Sequence, residues 1–148
     1  MIKPTINRGN PCPLTNQFII SIVKLVARSE SRVTGGLEIN FVSEALMKRL
    51  NREYRGKDVA TDVLSFAWGE VSLLFSGNRL SPVLGQLYLS YSYISRQAKR
   101  FGVSAREETV RMLIHGLLHL AGYDHERPEA ATDMFARQEG LVARVFKL

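Results

Sequence analysis

A single cysteine among 148 residues leaves Cys12 without a disulfide partner, which excludes a disulfide-stapled scaffold and makes a reducing, cytoplasmic compartment the simplest expectation. Long apolar runs are missing too. The longest near the N-terminus, residues 18–23, is cut by Lys24. That is well short of the roughly 18 residues a membrane span requires, and short for the apolar segment of a signal peptide. No membrane partner is expected. Repeats, low-complexity tracts and Pro/Ser-rich linkers are absent, so residues 1–148 read as one domain. Acidic charge is in deficit, with 20 Lys and Arg against 14 Asp and Glu and a net charge of +6. Such a surplus favours an anionic partner such as nucleic acid. Its densest stretch is Lys48, Arg49, Arg52, Arg55 and Lys57, set against only Glu53 and Asp58.

What is present reads as alternating helices and short strands. Thr15 suits the cap of a helix over residues 16–29, with Phe18, Ile22 and Val26 on one face. Leu37, Ile39 and Phe41 alternate with Glu38 and Asn40 in the period of a half-buried strand. The spacing then predicts a helix over 43–53 that delivers Arg55 to the loop beyond it, and strands over 63–68 and 87–91. Between those strands, residues 69–85 read as a loop or ragged hairpin. Helical spacing resumes over 93–102. Ser104 and Glu107 form a capping box that opens another helix, Gly122 marks its end, and a last helix covers 128–146. The fold expected is α+β, a small mixed β-sheet packed against several helices.

Histidine is scarce and concentrated. The chain has three, and all fall within residues 115–125. Residues four apart on a helix share a face, so His115 and His119 point two imidazoles at one place. Gly122 turns the chain, and Tyr123 and Asp124 are a short enough bridge for His125 to reach the same place. Three neutral imidazoles with an open fourth position describe a catalytic zinc site better than a closed structural one, and no cysteine lies near to close it. Because imidazole must be neutral to ligate, affinity is expected to fall as pH drops through roughly 6.5. The spacing is also that of metzincin proteases, whose general base is a Glu directly after the first histidine. Here that residue is Gly116, which has no side chain to take a proton.

The run His115-Gly116-Leu117-Leu118-His119-Leu120-Ala121-Gly122-Tyr123-Asp124-His125 resembles the signature of the YbeY family of metal-dependent endoribonucleases. A second block agrees with it: Asn51-Arg52-Glu53-Tyr54-Arg55-Gly56-Lys57-Asp58, followed by Thr61-Asp62-Val63-Leu64-Ser65-Phe66. The resemblance spans about residues 37–146. It departs from the family's usual pattern at Gln86, at Ala67 and in the final helix, where Arg127, Arg137 and Arg144 make the surface less acidic.

The resemblance implies a zinc-dependent, single-strand-specific endoribonuclease acting in maturation of the 3′ end of 16S rRNA and in ribosome quality control. His115, His119 and His125 would hold one Zn2+ per chain, and Arg55 and His115 would be the catalytic residues. Partners would be rRNA of the small ribosomal subunit, with ribosomal proteins and assembly factors. A planar guanidinium such as that of Arg55 can grip two phosphate oxygens. Asp62, Ser65 and Asp124 flank the two motifs and could orient an imidazole or a water, and Asp62 or Asp124 could equally cap a turn. Two rival functions remain: a non-catalytic RNA-binding assembly factor with a structural metal, and a metzincin-like metallopeptidase.

Overall fold

The computed structural model describes residues 1–68, 70 and 83–147. The elements run β1 (Ile2–Arg8), α1 (Asn16–Ser29), β2 (Gly35–Phe41), α2 (Glu44–Arg55), β3 (Val63–Ala67), β4 (Val83–Leu89), α3 (Tyr91–Phe101), α4 (Ala105–Leu120) and α5 (Pro128–Lys147). The α+β expectation is met. One sheet has the order β1-β2-β4-β3, with β1 and β4 parallel to β2 and β3 antiparallel to β4. Strand β1 was not expected from the sequence. Pro4 argues against a central strand, but β1 lies at the sheet edge, where a missing N–H is tolerated.

Caps fix the helix starts where the sequence placed them. Thr15, Ser43 and Ser104 each accept a hydrogen bond from the backbone N–H three residues on, at 3.0–3.1 Å. Two boundaries differ from the expectation. Helix α2 continues to Arg55 before Gly56 (φ 72°) ends it, so Arg55 belongs to the last turn and not to the following loop. Tyr91, expected to continue a strand, opens α3, because the alternation of Leu87 and Leu89 stops at the buried Ser90. The expected loop or hairpin over 69–85 lies largely outside the described residues; its last three, 83–85, begin β4.

Alternation along the strands separates two cores. Leu37, Ile39 and Phe41 of β2 and Leu87 and Leu89 of β4 pack with α1, α4 and α5. Leu64 and Phe66 of β3 pack with Met47 and Leu50 of α2. Leu87 lies against Gly116 of α4. Its neighbour Gln86 therefore faces the other side, where it bonds Glu38 and Tyr88, so the family departure at this position is turned away from the histidine helix. Tyr54 and Tyr88 both meet Phe66 edge-on, at 5.6 and 5.9 Å between centroids, which makes them packing aromatics.

Candidate active site

Helix α4 places His115 Nε2 and His119 Nε2 3.1 Å apart. The helix then ends in a Schellman arrangement that only a residue at ease with positive φ can make. Gly122 (φ 101°) donates its N–H to the His119 carbonyl, and Tyr123 donates to the Leu118 carbonyl, both at 3.0 Å. The reversal brings His125 back, its ring centroid 4.8 Å from that of His119 and 6.0 Å from that of His115. One nitrogen from each of the three rings lies within 4.8 Å of the others, so the three histidines form a fitting site for a metal ion.

The outer ring nitrogens decide what faces inward. His119 Nδ1 is 3.1 Å from the Tyr123 carbonyl oxygen, which can only accept, so Nδ1 carries the proton. The chain reversal that ends α4 thus also sets this tautomer. His115 Nδ1 is 2.7 Å from Gln138 Oε1, again an acceptor. Both Nε2 atoms are then bare lone pairs facing each other, which repel unless a cation lies between them. That donor set fits a metal. Burial, and next the neighbouring His115 and His125, push the His119 pKa down to about 4. Proton competition at this ligand therefore begins well below the pH 6.5 expected from an ordinary imidazole.

A cavity of about 520 Å³ joins the histidines to the second sequence block, with Arg55, Lys57 and Asp62 among its walls. Arg55 is pinned there. Its guanidinium donates to the Ser65 carbonyl at 2.8 Å and lies 4.6 Å above the Phe66 ring, with Glu70 paired at 2.6 Å. Asn51 supports the loop after α2 by donating to the Val59 carbonyl at 2.9 Å. A planar guanidinium fork is of the kind that can take two oxygens of an anion, and here it holds the Glu70 carboxylate.

None of the three flanking polar side chains hydrogen-bonds to one of the three imidazoles. Asp124 accepts from the Glu126 N–H at 2.7 Å and so caps a turn. Ser65 meets Arg55 through its backbone. Asp62 accepts from the Val63 N–H at 2.7 Å and from Gln97 at 3.0 Å. The residue that does touch His115, Gln138, was missed, because it lies on α5 and no local spacing links it to the motif. Its one signal is an amide in the buried stripe of Met134, Leu141 and Val142.

Gly116 has a packing reason. A Cβ there would lie 2.8 Å from Leu87 Cδ2 and 3.2 Å from Val63 Cγ2, so the position faces the sheet. The general base that the metzincin route needs at this position is therefore absent from this chain, and a side chain there would first meet Leu87 and Val63.

A family model described as Endoribonuclease YbeY matches residues 12–145. Among curated relatives, Endoribonuclease YbeY of Geobacillus kaustophilus is 39% identical over 138 residues, covering 88% of this chain and 88% of the relative. The Persephonella marina Endoribonuclease YbeY is 35% identical over 133 residues, covering 89% and 84%. The solution structure of TM1509 from Thermotoga maritima superposes with a TM-score of 0.62 at 26% identity, covering 99% of this chain and 90% of that one.

Proposed function

The chain belongs to the endoribonuclease YbeY family, and on that footing we propose that it cleaves single-stranded RNA at the cavity joining its histidines to Arg55. The observation that carries this reading is the convergence itself. Two sequence blocks some fifty residues apart supply a three-imidazole metal site and a preorganised guanidinium to one opening. An all-nitrogen donor set with an open position suits Zn2+, one per chain. When bound, such an ion supplies Lewis-acid polarisation of a phosphoryl oxygen and an acidified water.

The chain's own residues do the rest. His115 and His119 present Nε2 lone pairs held in place by their Nδ1 contacts, and His115 and Arg55 are the catalytic residues of this reading. Arg55 grips two phosphate oxygens and offsets the charge that grows on them in the transition state. Lys57, a flexible point charge on the same wall, draws the RNA backbone in. The physiological substrate proposed is rRNA of the small ribosomal subunit at the 3′ end of 16S rRNA, in ribosome maturation and quality control. Ribosomal proteins and assembly factors would be neighbours, in the cytoplasm. Family membership and the net charge of +6 support this, and no helix among the described residues is long and apolar enough to cross a membrane.

The test is cleavage by purified, zinc-loaded protein of single-stranded RNA, duplex RNA and small subunits carrying 3′-extended 16S rRNA, with casein as a peptide control. Cleavage of the single strand and of the extension, with casein intact, is the expected result. RNA binding without any cleavage would leave a non-catalytic assembly factor.

Binding should also depend on the basic face of α2. Arg52 is paired with Asp58 at 3.6 Å and Arg49 with Glu53 at 4.0 Å, both exposed pairs of little strength. Changing Lys48 and Arg49 together to Ala should weaken binding of all RNA sequences alike. The slope of log affinity against log salt should flatten by about 1.4 units if both side chains meet a phosphate, since each single-strand phosphate contact contributes roughly 0.7. An unchanged slope would move the RNA path off this face.

A further inference from the structure

His115 is not held by an isolated neighbour. Gln138, 6% exposed, turns its Oε1 to His115 Nδ1 at 2.7 Å while its Nε2 donates to Glu139 Oε2 at 3.1 Å. An amide has one accepting and one donating end, so the carboxylate on one side dictates what the imidazole meets on the other. If the amide were reversed, its oxygen would face a carboxylate. Glu139 cannot turn away, because Arg111 grips both its oxygens, with Nε to Oε2 at 2.8 Å and an Nη2 to Oε1 at 3.0 Å. That fork keeps the Glu139 carboxyl below its ordinary pKa and therefore negative.

The same Arg111 donates to buried Glu108 at 2.9 Å. Glu108 in turn accepts from Gln97 at 2.7 Å, and Gln97 donates to Asp62 at 3.0 Å. Asp62 is on the wall of the cavity that holds the histidines. One polar chain, buried at Gln138, Glu108 and Gln97 and half-buried at Glu139, Arg111 and Asp62, thus leaves the cavity at His115 and returns to it at Asp62.

From this chain we infer that Gln138 is a positioning residue: its amide, locked by Glu139 and Arg111, holds His115 as the Nδ1–H tautomer and so presents Nε2 as a ligand. The inference rests on the metal reading of the three histidines. Without the amide, His115 is free to carry its proton on Nε2, and binding then has to work against that population. Loss of an outer partner of this kind typically weakens a metal site by about 10- to 100-fold.

The test uses the full chain with two substitutions. Gln138→Leu removes the acceptor, whereas Gln138→Glu keeps an oxygen facing His115 Nδ1 in either orientation. The histidine tautomer is read in metal-free protein by long-range ¹H–¹⁵N correlation, and zinc affinity by competition with a chromophoric chelator. Far-ultraviolet circular dichroism confirms the fold of each variant. Wild type and Gln138→Glu should show His115 protonated at Nδ1 and bind zinc within about threefold of each other. Gln138→Leu should lose that tautomer and bind about 10- to 100-fold more weakly. An unchanged tautomer and affinity in folded Gln138→Leu, while His119→Ala abolishes zinc binding, would overturn the inference alone. No zinc binding by wild type would overturn the metal reading and the inference with it. If Gln138→Leu does not fold, Gln138→Glu decides: loss of the Nδ1–H tautomer in that folded variant would also overturn it.

Discussion

Replacing His119 with Ala is expected to lower RNA cleavage by about 10³-fold or more, the rate equivalent of the several kcal/mol that a Lewis acid contributes to phosphoryl chemistry. Of the three histidines, His119 is closely fixed by the fold. Its Nδ1 is tied to the Tyr123 carbonyl, its Nε2 faces that of His115, and burial keeps it neutral to about pH 4. Bound zinc should fall from about one per chain to near zero, as metal analysis of protein purified without chelator would read. The fold should persist, because alanine favours the helix and the bond lost is worth only about 1 kcal/mol net. Near-normal cleavage by His119→Ala would separate the reaction from these histidines.

Arg55→Ala should leave zinc content intact and lower cleavage under saturating RNA by about 10² or more, the scale seen when one preorganised donor is removed. The structure sharpens why Lys should not replace it. The guanidinium lies over Phe66 and is tied to the Ser65 carbonyl, and a flexible ammonium would not keep the same two-pronged orientation there. Arg55→Lys should therefore recover little of the saturated rate. If Arg55 only adds to the basic face, both variants would instead weaken RNA affinity at a near-normal saturated rate, with Lys restoring most of the affinity. Zinc is measured in every variant, since loss of metal would imitate loss of the donor.

The parts of the site that were legible in the sequence are those written in local spacing. His115 and His119 share a helix face, and Gly122 marks the reversal that returns His125, because helix period and left-handed geometry act over a few residues. The resemblance added Arg55. The parts that were not legible depend on distant chain segments. Gln138 reaches His115 from another helix, and the Arg111 fork that fixes it spans α4 and α5. Asp124 was a reasonable orienter by proximity, yet the backbone carbonyl of Tyr123 fills that role, and carbonyls leave no mark in a sequence. Strand β1 is tolerated despite Pro4 because it lies at the sheet edge, and edge position is a property of the assembled sheet. Gly116 could be read as the lack of a base, but not as a close approach of α4 to Leu87.

The most direct test is a titration of zinc into metal-free protein, with bound metal and cleavage of single-stranded RNA followed in the same samples. Cleavage should be absent without metal, rise in proportion to bound zinc and level off at about one equivalent per chain. Full cleavage by the metal-free protein, or one tightly bound zinc with no cleavage at any RNA concentration, would contradict a nuclease built on His115, His119 and His125.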